Sequence, residues 1–254
     1  MALLSPGLIH YYDGLWRTLK PEAGDREAHK IVEGHRRYLA VQRATQAQGG
    51  PGVPWYLIGI IHSLESNCSF GGHLHNGDPL ERATINVPAG RGPFATWEES
   101  AVDALHLKRR LWSGFAWETV HEHLLAMELY NGIGYLCYHP EVNSPYLWGL
   151  TNHHSRGKYV RDGRYDPQAI TRQTGGAAIL WHLLRDWPSM MPTLAVVSVE
   201  RPGPVTGPQA GRWEVSRLQA WLNQQPGAPI MVDGRWGPQT AGRFEQVFRM
   251  SAAA

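Results

Sequence analysis

The segment PWYLIGIIHSLESNCSF, residues 54–70, decides how the rest of the chain is read. Pro54 stands where a helix tolerates proline best, in its first turn, and the stretch WYLIGIIHSLE that follows is apolar almost all round. A helix with no polar face belongs in the middle of a domain, so this one is expected to be the central, buried helix. Glu65 falls in its last turn. Burial and the negative end of the helix dipole both disfavour an ionised carboxylate there. Both effects raise the pKa, as a general acid working near neutral pH requires.

Downstream, GGHLHNGDPLERATINVPAGRGP (71–93) holds the turn dipeptides Asn76-Gly77 and Asp78-Pro79, and Thr84-Ile85-Asn86-Val87 alternates polar with apolar. A small β-hairpin is expected directly after the central helix, with Asp78 in a solvated turn and Thr84 opening a strand. A carboxylate and a hydroxyl facing a helix-terminal acid would line a cleft.

Helix signals dominate elsewhere. Residues about 25–48 form a polar amphipathic stretch ended by GGPG. Thr96 with Glu99 three residues on reads as a capping box for a helix to about Trp112. Further helices are expected over about 117–130, stopping at Asn131-Gly132, and over about 168–185, ahead of Pro188. The Pro/Gly-rich tract 196–211 reads as a linker between a domain 1–195 and a small module 212–254. In that module Val215, Leu218 and Leu222, then Ala241, Phe244 and Phe248, each fall on one helical face.

Composition narrows the function classes. With 43% hydrophobic and 18% charged residues among 254, the chain is an ordinary globular protein able to bury a core. A net charge of +2 without a Lys/Arg run or basic stripe is too small to indicate a nucleic-acid binder, and none is expected. Eleven Trp and ten Tyr suit sugar-stacking clefts, although most such rings simply fill cores. Cys68 and Cys137 lack metal-type spacing and are expected as buried free thiols, one bridge being the alternative. The N-terminus is a poor signal peptide, and no apolar run of about 18 residues occurs, so no membrane partner is expected.

The text HSLESNCSF at a buried helix end, followed by HLHNGDPLERATINVPAG, resembles the lysozyme-like superfamily of phage endolysins, lysozymes and lytic transglycosylases. Glu65, Asp78 and Thr84 look like the Glu–Asp–Thr set of phage-type lysozymes, the Asp-to-Thr gap of six matching and the Glu-to-Asp gap being longer. ELYNGIGY (128–135) is similar to the alanine-tyrosine-asparagine-alanine-glycine motif of lytic transglycosylases, with Leu129 and Gly132 in place of the two alanines. SPYLWG (144–149) and GKYVRDGRY (157–165) also read like segments of this group. The module text LQAWLN…VDGRWGPQT resembles the small helical peptidoglycan-binding domain attached to wall hydrolases.

The resemblance implies a mainly α, α+β lysozyme-like domain that cleaves the β-1,4 bond between N-acetylmuramic acid and N-acetylglucosamine. Glu65 would protonate the glycosidic oxygen, Asp78 would stabilise the oxocarbenium-like state or activate a water, and Thr84 would hold that water. His62, His75, Tyr130, Asn131, Tyr146, Trp148 and Tyr159 are the candidate substrate contacts. Neither cofactor nor metal is expected, the partner is bacterial peptidoglycan, and the chain is taken as a monomer. A phage origin with release through a pore would explain how it reaches the wall. Three alternatives stay open: a lytic transglycosylase using the same acid, a zinc amidase or peptidase built on pairs such as His73-x-His75, His121-x-His123 and His153-His154, and a non-catalytic wall binder.

Overall fold

The computed structural model describes residues 6–49, 52–112, 114–132, 134–139, 141–161, 163–196 and 209–253. Its helices are α1 (Pro6–Arg17), α2 (Asp25–Glu33), α3 (His35–Ala47), α4 (Trp55–Ser66), α5 (Trp97–Trp112), α6 (Val120–Asn131), α7 (Gly134–Tyr138), α8 (Pro145–Trp148), α9 (Gly176–Asp186), α10 (Gln209–Leu222) and α11 (Pro238–Ala253). One antiparallel pair, β1 (Lys158–Arg161) and β2 (Arg164–Asp166), is the only sheet among the described residues. The chain is therefore mainly α with a small hairpin.

The all-apolar helix is the centre, as expected. Every residue of α4 from Trp55 to Leu64 is buried, and α2, α3 and α9 lie against it. Gly59 allows the closest of these approaches, since a Cβ there would meet Ile31 Cγ2 of α2 at 2.4 Å. The expected polar stretch 25–48 is two helices, because the chain breaks at Gly34 between α2 and α3. Thr96 and Glu99 do start α5, the Glu99 amide donating to Thr96 Oγ1 and the Glu99 carboxylate reaching back to the Ala95 amide. A full capping box of Thr119 and Glu122 starts α6. The helix expected over 168–185 begins only at Gly176, leaving 167–175 as the loop that crosses the end of α4.

The β-hairpin expected at 84–87 is not there. Residues 80–96 are turns and bends, and the hairpin of the structure lies at 158–166, in the GKYVRDGRY tract. Prolines at 79, 88 and 93 remove ladder donors from the region after α4, which is held instead by side chains.

Most of the expected linker, 197–208, lies outside the described residues, and α10 opens at Gln209. The C-terminal helices do not stand apart. α11 lies against α5, α10 touches α1 and α7, and Trp221, Leu222 and Val247 join the main apolar cluster. Trp236 meets Tyr138 of α7 edge-on at 5.6 Å. Burying large side chains of this kind is worth about 1.5–3 kcal/mol each, so deleting the chain from about residue 205 should lower stability by several kcal/mol. A drop in the thermal midpoint of the truncated protein checks this; an unchanged midpoint would mean the packing contributes nothing.

Candidate functional site

The sequence ends α4 at the point where its acid becomes accessible. Asn67 adopts the left-handed conformation at φ 53°, which asparagine tolerates better than most residues, and stops the helix. Its amide and that of Cys68 close on the carbonyls of Ser63 and His62. Gln173, from the loop before α9, donates to the Leu64 carbonyl, and Lys30 of α2 donates to Asn67 Oδ1 at 2.8 Å. Against the Glu65 carbonyl the Asn76-Gly77 turn packs so tightly that a Cβ on Gly77 would lie 2.6 Å from it.

Glu65 is half-buried, and Tyr146 of α8 donates its hydroxyl to Oε1 at 2.8 Å. Burial pushes the carboxyl up to about 7, against the Tyr146 hydroxyl and the Lys108 ammonium, which both pull it down. Lys108, on α5, sits with Nζ 5.5 Å from the centre of the Tyr130 ring. Burial lowers its own pKa to about 8, with Glu65 pulling it back up. Tyr130 donates to the Leu74 carbonyl at 2.6 Å, which fixes its ring beside this group and ties α6 to the loop after α4. Glu65, Tyr146, Tyr130 and Lys108 thus converge from α4, α8, α6 and α5.

Asp78 is not the solvated turn residue expected. It is 7% exposed, and its carboxylate accepts the amides of Ile85 (2.8 Å) and Asn86 (2.9 Å) and the Asn86 side-chain amide (2.6 Å). Burial alone would raise its pKa, but these bonds outweigh it and hold the carboxyl below its usual range. Thr84 is equally committed: its hydroxyl donates to the Pro88 carbonyl at 2.5 Å and accepts the Arg91 amide at 3.0 Å. The pair braces a loop whose Ile85 and Val87 point outward, 69% and 83% exposed. The same loop is clamped to α5. His73 bonds Ser100 Oγ at 2.8 Å, and His75 Nε2 and Arg91 both bond Asp103.

Several expected substrate contacts are core residues. His62 is fully buried, with Nε2 donating to the Ser69 carbonyl at 3.0 Å and Nδ1 accepting from Tyr38 at 2.9 Å; burial drives its pKa down to about 4, Ser69 opposing. A polar residue on an apolar helix here ties the turn 67–69 into the core. Trp148 has no exposed surface and cannot stack on a sugar. His75 is buried too, its Nδ1 without a hydrogen-bond partner among the described residues. Asn131 is exposed at the end of α6. Tyr159 belongs to a separate ring group, 5.3 Å from Tyr135 and 5.5 Å from Tyr165. Of the seven, Tyr130 and Tyr146 join the Glu65 cluster. Cys68 is a half-buried free thiol whose pKa burial raises, and the Cys137 side chain lies outside the described residues.

The histidine pairs do not assemble into a metal centre. Among the described residues no group of three His, Cys, Asp or Glu side chains is placed to hold an ion. His73 and His123 use both ring nitrogens in hydrogen bonds to neighbours.

Lys108 and Glu128 were missed in the sequence, yet both carried a signal. Lys108 lies on the apolar stripe of α5 formed by Trp97, Ala101, Ala104, Leu105 and Trp112. Glu128 sits in α6, where every residue from Val120 to Tyr130 is buried; burial pushes its carboxyl up to about 8.

Compared with protein families, curated proteins and solved structures, the chain matches none.

Two acids with raised pKa make stability depend on pH in a defined direction. Each stabilises the fold fully while protonated in both states, below the ordinary carboxylate value, and loses that contribution as pH rises through its folded value of about 7 or about 8. Lys108 is charged in both states below about 7 and stays out of that window. Glu65→Gln should therefore flatten the fall in thermal midpoint between pH 5 and 7 and leave the protein at pH 7 as stable as wild type or more so, by up to about 3 kcal/mol. Calorimetry across that range is the check; a variant less stable than wild type at pH 7 contradicts it. Asp78→Ala, by contrast, should speed hydrogen exchange of the Ile85 and Asn86 amides at least about tenfold, since it removes two charge-assisted bonds. Unchanged exchange would mean the loop holds without its brace.

Proposed function

We propose that the chain cleaves the glycan strands of bacterial peptidoglycan at the β-1,4 bond between N-acetylmuramic acid and N-acetylglucosamine, in the manner of a muramidase, with Glu65 as general acid and a lysozyme-like arrangement of its helices. The observation that carries this reading is the Glu65 carboxyl itself. It lies at the end of the most apolar helix, remains partly exposed, accepts the Tyr146 hydroxyl and has its pKa raised to about 7. That is a group able to hold a proton near neutral pH and deliver it at the surface. The proton passes from Glu65 to the glycosidic oxygen, the C1–O bond breaks with its electron pair going to that oxygen, and an oxocarbenium-like sugar is left. The C-terminal module is assigned to holding the wall, as its likeness to peptidoglycan-binding text implies.

What completes the reaction depends on the second group. In a hydrolase a water adds to C1 and a base takes its proton. Asp78 is a weak candidate for that base, because its oxygens already accept three hydrogen bonds and its pKa is lowered. This observation favours a second reading, a lytic transglycosylase. There the sugar's own 6-hydroxyl attacks C1, its proton returns to the Glu65 carboxylate, and the product is an anhydro-sugar.

Glu65→Gln should reduce clearing of a cell-wall suspension by about 100-fold or more, the contribution typical of a lost general acid. A folded variant that clears at the wild-type rate overturns the proposal. Mass spectrometry of the released muropeptides separates the two routes, reducing ends marking the hydrolase and anhydro ends the transglycosylase.

A further inference from the structure

Two of the most exposed large apolar side chains among the described residues stand one residue apart on the loop after α4, Ile85 at 69% and Val87 at 83%. A single apolar side chain in water is ordinary, but this pair is held there by a costly device. The loop is shut at its base by Thr84 and Arg91, the Thr84 amide donating to the Arg91 carbonyl at 2.9 Å and the Gly90 amide to the Thr84 carbonyl at 2.8 Å. At the tip, the buried Asp78 carboxylate takes the Ile85 and Asn86 amides, and the Asn76 side-chain amide donates to the Asn86 carbonyl at 3.0 Å. His75 and Arg91 bond Asp103 and so fasten the loop to α5. Burying a carboxylate to shape an exposed loop is expensive, and what it secures is the fixed display of two branched apolar side chains.

The display adjoins the acid. Asn76, which holds the tip, precedes Gly77, the residue packed on the Glu65 carbonyl, so tip and acid are joined through one turn. With the Ile85 and Asn86 amides and the Asn86 carbonyl already engaged, the tip cannot take up another chain as an edge strand does. What it offers a ligand is apolar contact, already ordered, so that binding need not freeze the loop. A glycan strand lying across the Glu65 carboxyl carries an apolar group suited to such a contact, the methyl of the N-acetyl group on each sugar.

We propose that Ile85 and Val87 are specificity-determining contacts for the N-acetyl groups of the bound strand, and that Asp78 and Thr84 are positioning residues which hold the pair ready. The identity of the ligand rests on the glycan-cleavage reading; the display of the pair does not.

The test uses the full chain carrying Glu65→Gln, so that binding is read without cleavage. On titration with peptidoglycan glycan strands stripped of their peptides, the methyl NMR signals of Ile85 and Val87 should move, and adding Ile85→Ser with Val87→Ser should weaken binding about tenfold. De-N-acetylating the strands should weaken the parent about tenfold and the serine variant by less than about threefold. With Glu65 restored, the serine variant should raise KM on cell walls about tenfold and leave kcat within about twofold. Asp78→Ala should raise KM likewise and add less than about twofold to the serine variant, because both act through the same contact. A fall in kcat without a rise in KM would make Asp78 a catalytic group and overturn its positioning role; should Asp78→Ala not fold, the exposed serine substitutions decide. Methyl signals that ignore the strands, or that move only with phosphatidylglycerol vesicles, overturn the proposal, the second result assigning the pair to a membrane. Wall cleavage by the serine variant at the wild-type KM removes the contact and leaves the glycan-cleavage reading standing. Strand binding that needs both the pair and the N-acetyl groups, in a chain that clears no cell walls, upholds the contact and removes the cleavage reading instead.

Discussion

The structure depends on one electrostatic constraint: a carboxyl group must be kept at the end of a helix that has no polar face. Nothing along α4 can help, since its residues from Trp55 to Leu64 are buried among apolar neighbours. Relief has to come from outside the helix, and it comes from three others, as a hydroxyl from α8, an ammonium from α5 and the ring from α6 that seats that ammonium. Helices α5, α6 and α8 each bring one of these groups to the end of the central helix. The abrupt end of α4 at Asn67 belongs to the same constraint, since without it the carboxyl would stay inside a continuing helix.

The loop after α4 answers a second requirement, that a segment too rich in proline and glycine to form a ladder should still hold one shape. Asp78 and Thr84 supply it with hydrogen bonds that a β-hairpin would have taken from its backbone. Asp103, bonded by both His75 and Arg91, fastens it to the helix that carries Lys108. Loop and lysine therefore share a scaffold, and α11 braces that scaffold from the C-terminal side.

Sequence reading reached the central helix, the ends of α5 and α6, the small C-terminal helices and the burial of Glu65 at a helix end, because each is announced locally: by an apolar run, by a capping pair, by Asn131-Gly132, by a charge in the wrong company. It failed where the outcome is decided by partners distant in sequence. Thr84-Ile85-Asn86-Val87 alternates as a strand does, but a strand needs a neighbour, and three prolines deny it one. Asp78 looked solvated because turn residues usually are; only the fold shows that two backbone amides seven and eight residues away converge on it. His62 and Trp148 were assigned to substrate by their chemistry and proved to be core by their surroundings. Lys108 shows the reverse case, a residue overlooked among ordinary helix lysines although its place on an apolar stripe sets it apart.

Gly77 carries a consequence for how such a chain can change over time. Its α-carbon hydrogen occupies the gap where any side chain would run into the carbonyl of Glu65, and at φ 76° it also holds a backbone shape that other residues resist. A methyl group at this point would meet the backbone of Glu65 and not its carboxyl, and it would lift the whole turn away from the helix end and with it the start of the braced loop. Evolutionary drift at position 77 is thereby closed off by geometry alone. Homologous chains that keep the acid but replace this glycine would have to rebuild the turn by insertion or deletion, so length variation between the acid and Asp78 is the scar that such a history would leave.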